Sequence, residues 1–398
     1  MQSGASMRSK ILYIILSYSI QLLNILLNLV FMQRLPVSLL GDVAIAKIWL
    51  QSFDYTHLGT RFALDRYLPM AKIDGHRNAY LLFSLLVSFF CSLAILLISL
   101  IIENANVTIF SFCLVGISLA ITNVIKAYFR ATENIKSVNI LMGWLYAFPL
   151  TISLLASLYS FNAFILTYPI SFWVLLITLF LKYGFNITFD MSMRWRYILA
   201  IKRRMVGTSK ILFLNSVVIY LSFVIDRLFV DWSLGRDALG TYSIIMFVFA
   251  SIFSIPSILT ELIYPKIIRS TVKEKKLFHW KESALVFFGT CVVILIANVS
   301  MDYLVERFTK YSDLVPLMQL AAIGVIPYSC IAILNHVFNA LDKRWLLLII
   351  NLVSLLIYVL FLFVAHSFKQ IDIFVFAKIT YGFVLLGAMA LTLRYSKI

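Results

Sequence analysis

Residues Ile45 to Tyr67 read IAKIWLQSFDYTHLGTRFALDRY, a run apolar enough for a membrane helix that nevertheless carries Lys47, Asp54, Arg61, Asp65 and Arg66. At about 100° per residue, with Lys47 at zero, Gln51 falls at about +40°, Asp54 at about −20°, Arg61 at about −40° and Asp65 back at about zero, so all share one stripe. Trp49, Phe53, Thr56 and Ala63 take the opposite face. A charged side chain at the bilayer centre costs about 2.5–3.5 kcal/mol on insertion scales, which is why such a stripe normally faces a water-filled cavity or a polar partner. Snorkelling of Lys47 and Arg61 toward the two helix ends is the alternative, and it leaves Asp54 as the deep charge.

The rest of the chain has the same character. Of 398 residues, 62% are hydrophobic and 13% charged, with a mean hydropathy of +0.95. A water-soluble globule of this composition would expose massive apolar surface, so an integral membrane protein is expected. The formal net charge of +16 does not point to nucleic acid, because the basic residues sit in short connections between apolar runs. Cys91, Cys113, Cys291 and Cys330 lie inside apolar runs without CxxC spacing and read as small core residues rather than disulfide or metal ligands. The first apolar run, 11–32, follows Arg8 and Lys10 and is too long for a cleaved signal peptide, whether translation starts at Met1 or Met7.

Runs able to cross a hydrocarbon core of about 30 Å occur at 11–32, 41–64, 80–102, 107–128, 140–159, 163–181, 211–230, 239–264, 284–303, 314–340, 345–368 and 374–393. This predicts an all-α membrane protein of about twelve helices, with six on either side of a basic connection. With a cytoplasmic N-terminus, roughly 26 of the 34 basic residues fall on the inside and five on the outside, leaving Lys47, Arg227 and Lys378 within helices. That asymmetry places both termini in the cytoplasm. The predicted division is an N-terminal six-helix bundle over 1–182, a basic cytoplasmic linker over 183–209 and a C-terminal six-helix bundle over 210–398. The linker sequence WRYILAIKRR suits either an amphipathic surface helix or a solvated topogenic loop. Pro149, Pro169, Pro256 and Pro327 mark helices where bending is expected.

The halves share a pattern. LPVSLLGDVAI (35–45) aligns without gaps on LGRDALGTYSI (234–244), matching Leu35 with Leu234, Leu40 with Leu239, Gly41 with Gly240 and Ile45 with Ile244. Tyr-Leu-Pro ends the helix after the first copy, at Pro69, and Ile-Tyr-Pro does so after the second, at Pro265. Six spans per half make the repeat parallel, with a pseudo-two-fold axis along the membrane normal. Leu239-Gly240-x-Tyr242-Ser243 before an apolar helix, Tyr264-Pro265 before a basic loop, and Asp54 followed by His57-Leu58-Gly59 and Arg66-Tyr67 carry a resemblance. Together they look like the polysaccharide-transport, O-antigen-flippase-like branch of the multidrug/oligosaccharidyl-lipid/polysaccharide exporter superfamily. The sequence departs from that pattern at Arg34-Leu35-Pro36 and at His57.

The resemblance implies a flippase rather than an enzyme. It would carry undecaprenyl-diphosphate-linked oligosaccharide, an O-antigen or capsule repeat unit, from the cytoplasmic to the periplasmic leaflet of the bacterial inner membrane by alternating access of two bundles around a central cavity. A polysaccharide polymerase and a chain-length regulator are the implied partners, and the bilayer is the medium. Such a path must replace water with polar side chains and cations. Lys47, Arg61, Arg227 and Lys378 are candidates for diphosphate or cavity charge, and Gln51, Asn215, Gln319 and Asn335 for hydroxyls. Asn215, Ser222 and Asp226 share a face, and Asp226 beside Arg227 is a candidate gating pair or an interfacial one. Asp54 is a candidate proton site, or inert if permanently paired with Lys47 or Arg61. No cofactor and no metal are expected; proton or sodium coupling is left open. The rivals are a cation-coupled multidrug exporter of the same fold, which favours an acidic cavity, and a membrane-embedded polysaccharide polymerase or glycosyltransferase, which favours a large outer loop.

Overall fold

A computed structural model describes residues 7–68, 74–132, 134–183, 195–274, 279–308, 311–341 and 343–395. These residues are helical almost throughout, and eleven helical segments among them are long and apolar enough to cross a membrane. The chain divides into two compact units. The first comprises Met1–Phe31 and Ile45–Phe213, the second Met32–Ala44 and Leu214–Ile398. Residues 32–44, expected with the N-terminal bundle, therefore group with the C-terminal one. Of the expected linker 183–209, residues 184–194 lie outside the described residues, and from Trp195 onward the chain is helix continuous with the next span.

In the first unit, α1 (Met7–Arg34) and α2 (Val37–Ser52), whose residues 32–34 and 37–44 group with the second unit, α3 (Thr60–Tyr67), α4 (Asp74–Ile102) and α5 (Val107–Ala131) are followed by α6 (Ile135–Met142), α7 (Phe148–Tyr159) and α8 (Phe161–Tyr183). Helix α5 is the centre, packing on α3, α4, α6 and α8. Its start is fixed by Asn106, whose side chain accepts from the backbone N–H groups of Thr108 at 2.9 Å and Ile109 at 3.4 Å. An aromatic cluster ties three helices together: Phe164 of α8 sits 4.8 Å from Phe31 of α1, and Tyr168 lies 5.1 Å from Phe112 of α5. A single π-helical turn, Gly143–Ala147, joins α6 to α7 just before Pro149.

The opening stretch does not form the continuous helix expected for 41–64. Helix α2 stops at Ser52, a 3-10 turn spans Phe53–Tyr55, and α3 begins only at Thr60. The break is built from local chemistry. Gly59 has φ 85° and Leu58 φ 44°, a left-handed pair in which the glycine adopts the conformation at no steric cost while the Leu58 Cβ bears one. His57 Nδ1 accepts from Gly59 N–H at 2.9 Å, and the hydroxyls of Thr56 and Thr60 donate to the carbonyls of Phe53 and His57. These bonds take up backbone groups that an unbroken helix would satisfy.

The second unit contains α9 (Trp195–Leu234), α10 (Arg236–Glu274), α11 (Trp280–Phe308), α12 (Val315–Ile323), α13 (Ile326–Ala340), α14 (Arg344–Phe368) and α15 (Ile371–Tyr395), of which α9 is divided near Phe213 between the units. Helix α10 packs on α11, α12 and α13, and α15 packs on α13 and α14. Helix α14 shows the logic of a bilayer-facing helix. Ile349, Leu352, Val353, Leu356 and Leu360 are exposed on one side, while Leu347, Asn351, Leu355, Tyr358 and Leu362 are buried on the other. Pro327 stands in the first turn of α13, after the interruption at Gly324, where no backbone N–H is needed. Pro169 and Pro256 lie inside α8 and α10.

The aligned repeat has a physical counterpart within this unit. Helices α2 and α10 open at Val37 and Arg236, which are aligned positions, after the helix stops at Pro36 and Gly235. The two helices meet reciprocally. A Cβ on Gly41 would lie 2.9 Å from Arg236 Cγ and 3.1 Å from its carbonyl carbon, and one on Gly240 would lie 2.9 Å from Val37 Cγ1 and 3.0 Å from its carbonyl carbon. Each glycine thus faces the residue four places before its counterpart. Arg236 closes the crossing with Asp42 at 3.7 Å and Asp231 at 3.4 Å. Pro69 lies outside the described residues.

Candidate functional site

In the first unit the charged stripe survives the helix break by a different route from the one a straight helix would give. The break folds Arg61 back so that its Nη1 donates to Asp54 Oδ1 at 3.0 Å. The same oxygen accepts from Asn123 Nδ2 of α5 at 2.8 Å, and Tyr146 of the π-helical turn donates its hydroxyl to Asn123 Oδ1. Lys126, one turn along α5 from Asn123, stands 5.8 Å from the Tyr13 ring and 5.6 Å from the Tyr146 ring. Lys47 donates to Asn28 Oδ1 of α1. The Asn28 amide is itself spent on the Asn24 carbonyl at 2.7 Å, so its oxygen is presented to the cation. Asp65 and Arg66 carry side chains outside the described ones.

The two faces expected of this stretch are real. Phe53, Thr56 and Ala63 are buried, whereas Gln51 is exposed and the Asp54 side chain remains 46% exposed even with its two donors in place. Lys47 and Lys126 are half-buried. Among the described side chains, three cations and one carboxylate share this region, with Asn28, Asn123 and Tyr146 as its neutral donors and acceptors. Asn123, Tyr146 and Lys126 were not among the residues singled out from sequence. The available signal was the lone Thr122-Asn123 pair inside the apolar run of α5, which only a partner elsewhere in the fold makes worth its burial.

In the second unit, α9 is unbroken through 215–226 and its predicted polar face is buried as one row. Asn215 Oδ1 accepts from Asn351 Nδ2 of α14 at 2.7 Å. Asp226 is 1% exposed, and its partner is not the neighbouring Arg227 guanidinium but Lys378 of α15, whose Nζ stands 3.3 Å from Asp226 Oδ2. Tyr242 donates to the same oxygen at 2.7 Å, and Arg227 N–H donates to Oδ1 at 3.0 Å. Lys378 also donates to the Ser222 carbonyl at 2.6 Å and sits over the Phe223 and Tyr358 rings, 5.1 and 5.4 Å from their centroids. This ammonium is enclosed and charge-compensated. Gln319 lies apart, donating to the Asn298 carbonyl at 3.2 Å.

Beside the ion pair lies a cavity of about 260 Å³ lined from α9, α10, α13, α14 and α15. Asn335, a residue expected to meet hydroxyls, is one of its walls, and Ser222, Thr260, His336 and Asn351 contribute other polar groups. Phe223, Phe253 and Tyr328 form an aromatic side, with Phe253 and Tyr328 rings 5.7 Å apart and near-perpendicular at 84°.

No protein-family model matches this sequence, and no curated protein sequence does. Solved structures do match in fold. A MOP-superfamily transporter from Pyrococcus furiosus, described as having a binding pocket of reversed polarity that suggests a different function, superposes with a TM-score of 0.66 at 12% identity, over 96% of this chain and 94% of that one. The inward-facing conformation of a multidrug resistance MATE family transporter of the same superfamily gives 0.69 at 13% identity, over 97% and 100%. The Vibrio cholerae MATE transporter VcmN in its bent form gives 0.59 at 16% identity, over 99% and 98%. The chain therefore has the all-helical, two-bundle MATE-like fold.

Proposed function

We propose that this protein is an inner-membrane transporter that flips a lipid-linked oligosaccharide, of the undecaprenyl-diphosphate kind, from the cytoplasmic to the periplasmic leaflet by alternating access. The observation that carries the reading is the exposed polar stripe of the first unit. Lys47, Gln51, Asp54 and Arg61 belong to a stretch apolar enough to enter a membrane, and charged groups at membrane depth are stable only against water or a polar substrate. The excess of Lys47, Arg61 and Lys126 over Asp54 suits an anion, and diphosphate oxygens are well met by a guanidinium and ammonium groups. Asn28, Asn123 and Tyr146 would exchange hydrogen bonds with sugar hydroxyls as water is left behind. Asp54, held by Arg61 and Asn123, is the group through which proton or sodium coupling would act. A second reading, a multidrug exporter, is favoured by the fold of the MATE neighbours and fits it equally; a site built for organic cations would be acidic rather than basic.

The strong excess of basic residues in one set of connections supports cytoplasmic termini. A cysteine replacing Arg196 should react with an impermeant thiol reagent only after the cells are permeabilised; labelling in intact cells reverses the orientation. A polymerase and a chain-length regulator would act on the product at the outer leaflet. For function, disruption of the gene should abolish surface polysaccharide, the wild-type gene should restore it, and Asp54→Ala should not, at equal protein level. Restored drug resistance with unchanged polysaccharide would transfer the assignment to the multidrug reading. Full polysaccharide from Asp54→Ala would remove the stripe from the transport path.

A further inference from the structure

We propose that the cavity of the second unit is a binding subsite for one uncharged, hydroxyl-bearing ring, a single neutral sugar residue rather than a diphosphate or an organic cation. The inference rests on the glycan-transport reading for its biological context, but its chemistry is independent of it.

The first argument is charge. None of the described residues that line the cavity is Lys, Arg, Asp or Glu. Lys378, which touches the lining residues Ser222 and Phe223, is paired with Asp226 at 3.3 Å, and the two neutralise one another. A diphosphate moved here from water would find no cation to offset its desolvation, and an organic cation would find no carboxylate.

The second argument is the direction of the hydrogen bonds. Ser222 donates its hydroxyl to the Ile219 carbonyl at 2.7 Å and Thr260 donates to the Pro256 carbonyl at 2.8 Å, so the proton of each hydroxyl is already engaged. Asn335 Oδ1 is buried without a hydrogen-bond partner, and so is the hydroxyl of Tyr328, a residue only 3% exposed. Leaving such a group unsatisfied costs about 1–3 kcal/mol. The wall thus offers one unpartnered amide oxygen and one hydroxyl that can donate or accept, and this is complementary to a ligand carrying O–H or amide N–H donors.

The third argument is shape. The polar groups face an aromatic and aliphatic side made by Phe223, Phe253, Tyr328, Ile331 and Leu385. A sugar ring has the same two-sidedness, with a C–H face for aromatic rings and hydroxyls at its edge. A cavity of about 260 Å³ lies just under the roughly 300–1,000 Å³ typical of small-molecule sites, so it holds one ring and not a repeat unit.

The test uses purified full-length protein in nanodiscs and saturation-transfer NMR, which registers weak binding. The probes are the methyl glycosides of glucose, galactose and N-acetylglucosamine, with pyrophosphate and tetraphenylphosphonium as charged comparisons. At least one glycoside should receive saturation and the charged probes should not compete for it. Tyr328→Phe and Asn335→Leu should each weaken that binding about three- to tenfold. Tyr328→Phe should leave the melting temperature unchanged or raised, since it removes an orphan hydroxyl and keeps the ring. The subsite is overturned if no glycoside binds, if neither variant alters binding, or if tetraphenylphosphonium or pyrophosphate displaces the sugar. Binding that follows these rules in a protein whose loss leaves surface polysaccharide normal would sink the transport reading and keep the subsite; normal transport without binding would do the reverse.

Discussion

Alanine at Gly41 or Gly240 should destabilise the second unit, because α2 and α10 cross with no room for a methyl group. At Gly41 the added carbon would stand 3.1 Å from the Arg236 carbonyl carbon and 2.9 Å from its Cγ; at Gly240 the corresponding distances to Val37 are 3.0 and 2.9 Å. Carbon pairs are most favourable at about 3.5–4.0 Å, so the helices must part by roughly 0.5–1 Å. The obstacle is backbone as well as side chain, so a rotamer change does not relieve it. Overpacking of this kind costs about 1–3 kcal/mol, which should lower the apparent melting temperature by several degrees. The control is Gly387→Ala, where nothing lies within 4 Å of the added carbon and no loss is expected. The two crossing sites should also be coupled: once one alanine has separated the helices, the second meets less resistance, so the double variant should cost clearly less than the sum of the singles. Thermal unfolding of the purified proteins, followed by monodispersity on heating, measures all four. Wild-type stability for both single variants, or strict additivity in the double, would refute the reciprocal crossing.

The buried pair of the second unit gives a further expectation. Lys378→Met should destabilise by about 3–5 kcal/mol, because it strands the Asp226 carboxylate without its cation, and adding Asp226→Asn should recover much of the loss. Unfolding midpoints of the single and double variants check this, and a Lys378→Met protein as stable as wild type would mean that Asp226 does not depend on Lys378.

Much of this protein is written locally. Several spans begin and end near where their apolar runs do, as at 107–131 and 344–368, because a chain in hydrocarbon must satisfy every backbone group within its own helix; α9, which starts at Trp195, and α10, which runs through Pro265 to Glu274, extend well beyond theirs. The repeat was legible at Gly41 and Gly240, since a helix crossing this tight tolerates no side chain. The polar row Asn215, Ser222 and Asp226 was legible for the same periodic reason, α9 being unbroken there. Where the sequence misled, a local bond competed with the helix: Gly59 and His57 interrupt 53–59, so a wheel drawn through that stretch placed Arg61 by the wrong geometry, although it still reaches Asp54. What remained belongs to the tertiary structure. The choice of Lys378 over Arg227 as partner of Asp226, the Asn123 and Tyr146 support for Asp54, and a cavity whose walls come from five helices all join residues far apart in the chain. No periodicity within one segment records which segment will pack against it, and that pairing decides which polar groups are satisfied and which remain to meet a ligand.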